Sequence, residues 1–293
     1  MTPLTPTSVP APAAQSRAGR DLPAAIAVGV VLSAAAVVTL GWFHWGFVVI
    51  TALALSIGAI EINRAMSRIG MHAAIRPIAV GTFLIPLGSY YAAVHPERGI
   101  SSNTLLLAML ALTVLVALVW RLPGGPQGFV KDAAASVFIV GYLPLLGSSV
   151  ALMLAGELGP RRIIAFLFCV IANDVGGYVF GVLFGRTPMA PTISPKKTWE
   201  GFAGSVVAGV AVGLAAATWL LHVDWWVGVI LGVAMVGFGT AGDLIESMIK
   251  RDVGIKDMSS FLPGHGGIMD RLDSLLVAAP VAWLVMYLFV PGG

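Results

Sequence analysis

Charged side chains are scarce in this chain of 293 residues: only 11% are Asp, Glu, Lys or Arg, whereas a soluble domain carries about 25%. So little charge cannot cover a surface that faces water, which excludes an ordinary soluble domain. The chain is instead strongly apolar, with 58% hydrophobic residues and a mean hydropathy of +0.92. Its repeated apolar runs of about 20 residues have the length that a helix needs to cross a bilayer. The sequence predicts an all-α, polytopic integral membrane protein.

Cysteine is almost absent as well. Cys169 is the single cysteine, which excludes an intramolecular disulfide and a cysteine-ligated metal site. The net charge of +3 does not indicate a nucleic-acid partner, because the Lys and Arg residues lie in short loops between apolar segments, where they set membrane orientation. We therefore expect no nucleic acid to bind.

About nine membrane spans are predicted. Residues 1–20 are rich in Pro, Thr and Ala and are predicted to form a disordered cytoplasmic tail. With that orientation, fourteen of the 17 Lys and Arg residues fall on the inner side, the bias that cytoplasmic loops show. We expect a multi-pass protein of the plasma membrane whose polar loops at 186–199 and 250–266 share the cytoplasmic face. The predicted spans are 22–41, 45–63, 73–94, 102–120, 133–155, 162–185, 200–221, 225–249 and 267–290.

Acidic residues inside apolar spans are the informative anomaly. Asp174, Asp243 and Glu246 lie within or at the inner half of such spans, where each costs about 2.5 to 3.5 kcal/mol at a helix centre. Structural acids that reach the interface or pair with a nearby base are the alternative interpretation. Three such residues in one chain favour a functional site.

Helical spacing groups these acids further. Asp243, Glu246 and Lys250 stand at i, i+3 and i+7 and therefore share one helix face. Asp270 and Asp273 share a face at the start of the last span. Two carboxylate pairs on facing helix ends would form an oxygen-rich pocket of the kind that holds Mg²⁺ together with substrate phosphates.

Two loops add phosphate-binding chemistry. The segment 250–273 interleaves bases, acids and glycines, and glycines let backbone N–H groups approach phosphate oxygens. A solvated connector would explain the charge of this loop but not its pattern. The second loop, 194–201, carries Lys196 and Lys197. Ser194 followed by Pro195 predicts a helix start there, which would attract phosphate or a lipid headgroup.

These motifs resemble the signature of phosphatidate cytidylyltransferases, also called CDP-diacylglycerol synthases. The resemblance rests on residues 247–251 (S-M-I-K-R), 256–257 (K-D), 263–267 (P-G-H-G-G) and 270–273 (D-R-L-D). It extends upstream from Asp174 through Tyr178, Gly181 and Gly185 to residues 193–201 (I-S-P-K-K-T-W-E-G). The spans before residue 160 match only in being hydrophobic.

The resemblance implies an all-helical membrane enzyme, commonly a homodimer, that uses CTP, phosphatidate, membrane lipid and Mg²⁺. It divides the chain into N-terminal helices at 21–160 and a catalytic region at 161–293 with the signature at 247–273. Phosphatidate would attack the α-phosphorus of CTP and release pyrophosphate. The number of metals and the identity of a second cation stay open.

The resemblance also implies roles for individual residues. The expected metal ligands are Asp174, Asp243, Asp257, Asp270 and Asp273. Catalytic roles are expected for Asp243, Asp270, Asp273, Lys250 and Lys256. Substrate contacts are expected from Ser194, Lys196, Lys197, Arg251, His265, Gly266, Gly267 and Arg271.

Two other functions are compatible with acids and bases in a membrane protein. A CTP-dependent polyprenol or lipid-alcohol kinase would transfer the γ-phosphoryl group, and a transporter would use the acids as coupling sites. The chain has no evident inverted repeat, which disfavours transport. It also lacks the D-x-x-D-G-x-x-A-R pattern of CDP-alcohol phosphotransferases, because Ser274 follows Asp273.

Overall fold

The computed structural model describes residues 22–261 and 266–292, with side chains from residue 27 onward. The predicted N-terminal tail, residues 1–20, lies outside the described residues. Helices make up most of the described chain, and one short hairpin precedes the eighth helix. Its helices are α1 Leu22–Trp42, α2 His44–Ser67, α3 Ile75–Val94, α4 Ser102–Arg121, α5 Phe129–Val140, α6 Leu146–Ala155, α7 Gly159–Phe184, α8 Trp199–Ala215, α9 Trp225–Asp252 and α10 Met269–Phe289, and its strands are β1 Pro188–Ala190 and β2 Ser194–Thr198.

The prediction of an all-α polytopic membrane protein is confirmed. Eight helical segments in the described residues are long and apolar enough to span a bilayer. One of them, Phe129–Ala155, joins α5 to α6 through the π-helical segment Gly141–Leu145. Pro144 lies in that segment and lacks the N–H that a regular helix would use. The predicted span 22–41 coincides with α1, whose described apolar part, Ala27–Trp42, is shorter than the others.

The hairpin corrects one local prediction. Ser194 and Pro195 do not start a helix; they belong to β2, which pairs antiparallel with β1. The helix starts later, at Trp199, because Thr198 supplies the cap that Ser194 was expected to supply. The Thr198 hydroxyl accepts a hydrogen bond from the Gly201 N–H at 3.1 Å. The lysines therefore lie on a strand that leads into α8.

Glycines bring the backbones of α7 and α8 into contact. A Cβ atom added to Gly201 would lie 2.9 Å from the Gly177 carbonyl oxygen, and one added to Gly176 would lie 2.8 Å from the Gly204 carbonyl oxygen. Small residues allow this close approach between membrane helices. The hairpin that precedes α8 is consequently held beside Asp174 of α7.

The two predicted parts of the chain share their hydrophobic cores. One cluster of buried residues joins Val48 of α2 to Phe166, Met235 and Met286 of α7, α9 and α10. The other joins Ile62 of α2 and several residues of α5 to Met269 at the start of α10. Helix α10 is therefore packed against helices from both parts.

Candidate active site

A polar cavity of about 330 Å³ opens between α7, α8, α9 and the hairpin. It combines acids from two helices with bases from a strand, and five of the predicted site residues line it. The lining residues are Asn173, Asp174, Gly177, Tyr178, Met189, Ser194, Lys196, Lys197, Thr198, Gly201, Phe202, Ser205, Thr240 and Asp243.

An ion pair crosses this cavity. Lys197 of β2 donates to Asp243 of α9. Asp174 of α7 lies within electrostatic range of both residues. Lys197 therefore faces two carboxylates, so Asp174 has no ion-pair partner of its own among the described residues. The second lysine of the lining, Lys196, is exposed.

Asn173 is a polar residue of this site that the sequence did not indicate. It is 3% exposed, and its Nδ2 donates to Asp174 Oδ1 at 3.0 Å. Its backbone oxygen accepts from the Ser205 hydroxyl at 2.6 Å, and the Thr240 hydroxyl lies 3.4 Å from Asn173 Oδ1. Asn173 thereby joins α7, α8 and α9 directly behind Asp174. An amide has no membrane cost comparable to that of an acid, so it gave no signal in the sequence.

A second charged cluster lies at the end of α9. Lys250 forms ion pairs with Glu246 and, at 2.9 Å, with Asp270 of α10. Asp270 Oδ2 also accepts backbone N–H groups from Met258 at 3.0 Å and Gly267 at 2.8 Å. Asp270 therefore ties residues 258 and 267 of the loop to α10 while it pairs with Lys250.

Asp273 stands between the two clusters. It lies within electrostatic range of Asp243, Asp174 and Lys250. The backbones meet at the same level, since a Cβ atom on Gly242 would collide with the Asp273 carbonyl oxygen. Asp273 Oδ1 accepts a local hydrogen bond from the Ser274 N–H at 2.8 Å. The acids of α7, α9 and α10 thus converge at one level.

The other predicted residues lie around this centre. Arg251 is exposed, and its Nε donates to the Ile193 carbonyl oxygen at 3.2 Å, which ties the hairpin to α9. Lys256, Asp257 and Arg271 are exposed. Gly266 has a φ of 86°, in the left-handed region that favours glycine. His265 lies outside the described residues.

The donor chemistry of the site fits Mg²⁺. Among residues 22–261 and 266–292, no three Asp, Glu, His or Cys side chains are close enough to enclose a metal ion by themselves. Mg²⁺ does not need such an enclosure, because it commonly binds one or two carboxylates together with substrate phosphates and water. Within the described chain, Glu246 Oε1 is buried without a hydrogen-bond partner, so acceptor capacity is also left over. Asp243 and Asp273 lie within electrostatic range of each other.

Glu61 of α2 also reaches this region, although the sequence did not predict it as a site residue. It is buried and contacts Ser259, Ile268 and Met269. The signal that revealed Asp174, an acid inside an apolar span, was present for Glu61 too.

The chain is similar to a known protein family and to named relatives. The model of the cytidylyltransferase family matches residues 23–289. A protein of Mycobacterium leprae named phosphatidate cytidylyltransferase is 40% identical over 289 residues, which cover 93% of this chain and 89% of that protein. A protein of the same name from Mycobacterium tuberculosis strain H37Rv is 40% identical over 287 residues, 93% of this chain and 84% of its own length. One from Aquifex aeolicus is 40% identical over 152 residues, 52% of this chain and 56% of its own length.

Proposed function

This chain belongs to the cytidylyltransferase family, and we propose on that premise that it transfers the cytidylyl group of CTP to phosphatidate. The products are CDP-diacylglycerol, an intermediate for phospholipid biosynthesis, and pyrophosphate. This reaction is supported by relatives named phosphatidate cytidylyltransferase, which are similar to this chain over nearly its whole length.

The observation that carries the proposal is the convergence of acids and bases in one cavity among membrane-spanning helices. A phosphate oxygen of phosphatidate attacks the α-phosphorus of CTP, a new P–O bond forms, and the bond to the β-phosphate breaks. The nucleophile is already an anion, so the reaction needs no strong base. The demand on the protein is to bring two anions together and to stabilise the charge on the departing pyrophosphate.

The bases divide into two groups that suit this demand. Lys196 and Lys197 enter the cavity from β2 and neutralise phosphate there. Lys250, with Arg251 nearby, lies at the end of α9. Lys256 of the loop and Arg271 of α10 add exposed positive charge. A triphosphate held between the two groups would present its α-phosphorus beside Asp174 and Asp243, where the lipid phosphate arrives from the bilayer.

Mg²⁺ is the proposed cofactor. Asp243 and Asp273 would hold it, with Asp174 nearby and Asp257 as a further expected ligand. When bound, Mg²⁺ neutralises phosphate charge and orients the nucleotide. Lys197 has a separate task, since its ion pair keeps the Asp243 carboxylate turned toward the cavity. Asn173 does the same for Asp174 through its amide hydrogen bond.

We further propose that the protein lies in the plasma membrane with its cavity on the cytoplasmic face, and that it forms a homodimer. The excess of Lys and Arg on one side of the helices supports the orientation. A cytosolic supply of CTP requires the cavity to open on that side. Labelling of an introduced cysteine at Lys196 in intact cells tests the orientation, and light scattering of the purified protein tests the dimer.

The product distinguishes this function from its rivals. Purified protein is given phosphatidate, Mg²⁺ and CTP that is radiolabelled at either the α- or the γ-phosphorus. Cytidylyl transfer places the α-label in lipid and the γ-label in pyrophosphate. A γ-label in lipid, with CDP released, would instead identify a lipid kinase. A chelator added before CTP should abolish labelling.

A further inference from the structure

A buried acid from the N-terminal part of the chain reaches the start of α10. Glu61 lies near the end of α2 and is 2% exposed. Its Oε2 accepts the Met269 N–H at 2.8 Å, and its Oε1 accepts the Ile268 N–H at 3.1 Å. The Ser259 hydroxyl donates to the same Oε1 at 2.5 Å. All three donors belong to the connection between α9 and α10 or to the first residue of α10.

Glu61 supplies a helix cap that α10 lacks in its own sequence. The first N–H groups of a helix have no partner within the helix. The residue at the cap position of α10 is Ile268, whose side chain cannot accept a hydrogen bond, and the helix has no side-chain cap of its own. A carboxylate is favoured at this end because the helix dipole is positive there. Glu61 provides both the acceptor and the charge from another helix.

The carboxylates of Glu61 and Asp270 both bind the connection between α9 and α10, at neighbouring residues. Glu61 binds residues 259, 268 and 269, whereas Asp270 binds the neighbouring N–H groups of residues 258 and 267. Each acid therefore holds one residue inside the connection, 258 or 259, and at least one residue at the start of α10. The spacing between these two helices, and with it the position of Asp273, depends on both acids.

Gly267 indicates how closely Glu61 fits this connection. A Cβ atom at position 267 would lie 2.8 Å from Glu61 Oε2 and 3.1 Å from Asp270 Oδ2. Only glycine leaves room for both carboxylates. Among the described residues no base forms an ion pair with Glu61. A buried carboxylate is costly unless hydrogen bonds satisfy it, so Glu61 depends on these donors as they depend on it.

We infer that Glu61 is a positioning residue of the active site, which fixes the first turn of α10 so that Asp270 and Asp273 face Lys250 and Asp243. The inference rests on the proposed function. Glu61 does not line the described cavity, so it acts through the loop and not by touching substrate. The N-terminal helices thereby contribute directly to the geometry of the C-terminal site.

The test replaces Glu61 by Gln, which keeps the shape but offers one acceptor oxygen and turns an amide N–H₂ toward a donor. Because the loop is proposed to serve CTP and Mg²⁺, E61Q should raise the KM for CTP and the half-saturating Mg²⁺ concentration about tenfold. The KM for phosphatidate should not change. A merely destabilised protein would lose active fraction without this split.

A second readout does not depend on activity. Lys256 is exposed and lies just before the anchored residues 258 and 259, so trypsin should cut E61Q after Lys256 faster than wild type, measured relative to cleavage at the exposed Arg98. Asp132→Asn is the matched control: Asp132 is also a buried acid, 5% exposed, but it binds Arg121 and the His72 N–H. D132N should lose stability without changing the KM for CTP or the relative cleavage at Lys256.

Wild-type KM values and wild-type cleavage at Lys256 in E61Q would overturn the inference. If E61Q cannot be purified, Ser259→Ala removes one of the three donors and should produce smaller shifts in the same direction, and no shift in S259A would overturn it equally. Failure of the proposed function is recognised separately, because wild type would then make no CDP-diacylglycerol although the cleavage readout still responds.

Discussion

At each end of α10, a buried charged side chain from another helix binds backbone groups that the helix leaves without partners. At its start, the buried carboxylate of Glu61 from α2 accepts backbone N–H groups. At its end, the buried guanidinium of Arg162 from α7 donates to the carbonyl oxygens of Val290 at 3.3 Å and Pro291 at 2.8 Å. Glu61 and Arg162 are both 2% exposed, and each matches the sign of the helix dipole at its end.

The difference lies in what surrounds each end. Around the start of α10, Asp270 pairs with Lys250, and Asp273 lies within electrostatic range of Asp243 and Asp174 of the cavity. At the other end, Arg162 meets backbone groups and has no ion pair among the described residues. A buried charge in a membrane helix is therefore not by itself a sign of chemistry. What marks the active end is several acids from separate helices facing several bases.

The largest effect is expected at the active end. Asp243→Asn and Asp273→Asn should each lower CDP-diacylglycerol formation about 100-fold or more, because each removes charge from the group proposed to hold Mg²⁺ with the nucleotide. Radiolabelled product formation at saturating CTP measures the loss. Asp224→Asn is the control, since Asp224 is exposed at the start of α9, the helix that carries Asp243. This variant should keep wild-type activity. Full activity in D243N or D273N would show that the replaced acid is not needed in the site.

Replacing Arg162 at the C-terminal end of α10 should change stability and not activity. Arg162→Met leaves the last carbonyl groups of α10 without their donor and should lower the free energy of unfolding by about 2 kcal/mol. A thermal melt in detergent measures this change, and the folded fraction should retain the kcat and KM of wild type. Arg161→Met at the exposed neighbouring position should alter neither quantity. A lowered kcat in folded R162M would show that the two ends do not differ as described.

The two adjacent lysines of β2 are expected to differ in their effect on activity. Lys197→Met removes the partner of Asp243 and should reduce kcat/KM about tenfold, as expected for a group that orients a metal ligand. Lys196→Met removes an exposed charge and should have a smaller effect, which added salt diminishes further. Steady-state kinetics at two salt concentrations measures both. Equal effects from the two variants would contradict an ordering role for the ion pair.

The smallest effect is expected at the hairpin. Thr198→Ala removes the cap of α8 and should cost about 1 kcal/mol of stability. The change is read from the melting temperature, with Thr192→Ala, exposed in the turn of the hairpin, as a control. An unchanged melting temperature in T198A would argue that the start of α8 is fixed by the glycine contacts with α7 alone.

The helices could be predicted because apolar length alone decides whether a segment spans a bilayer. The short polar hairpin before α8 could not be predicted in this way. The Ser194-Pro195 pair is typical of a helix start, yet these residues pair with β1. A three-residue strand has too short a pattern to be recognised in the sequence, and its pairing is a tertiary contact.

The site was predictable where its residues carry charge at fixed spacing. Asp174, Lys197 and Asp243 were selected in this way, and the fold brings them to one cavity. Asn173 and Glu61 were missed for different reasons. Asn173 is neutral, and its role follows only from the three helices that it joins. Glu61 lies far from the signature in sequence, so its contacts with residues 259, 268 and 269 depend on the packing of α2 beside α10.

Acids from α7, α9 and α10 are proposed to hold a divalent ion against a nucleotide triphosphate. Electron paramagnetic resonance with Mn²⁺ in place of Mg²⁺ tests this claim, because it detects immobilised Mn²⁺ with CTP in the absence of turnover. Wild-type protein should immobilise Mn²⁺ in a CTP-dependent manner, and the double variant D243N/D273N should not. Immobilisation with wild-type affinity in the double variant would contradict the claim.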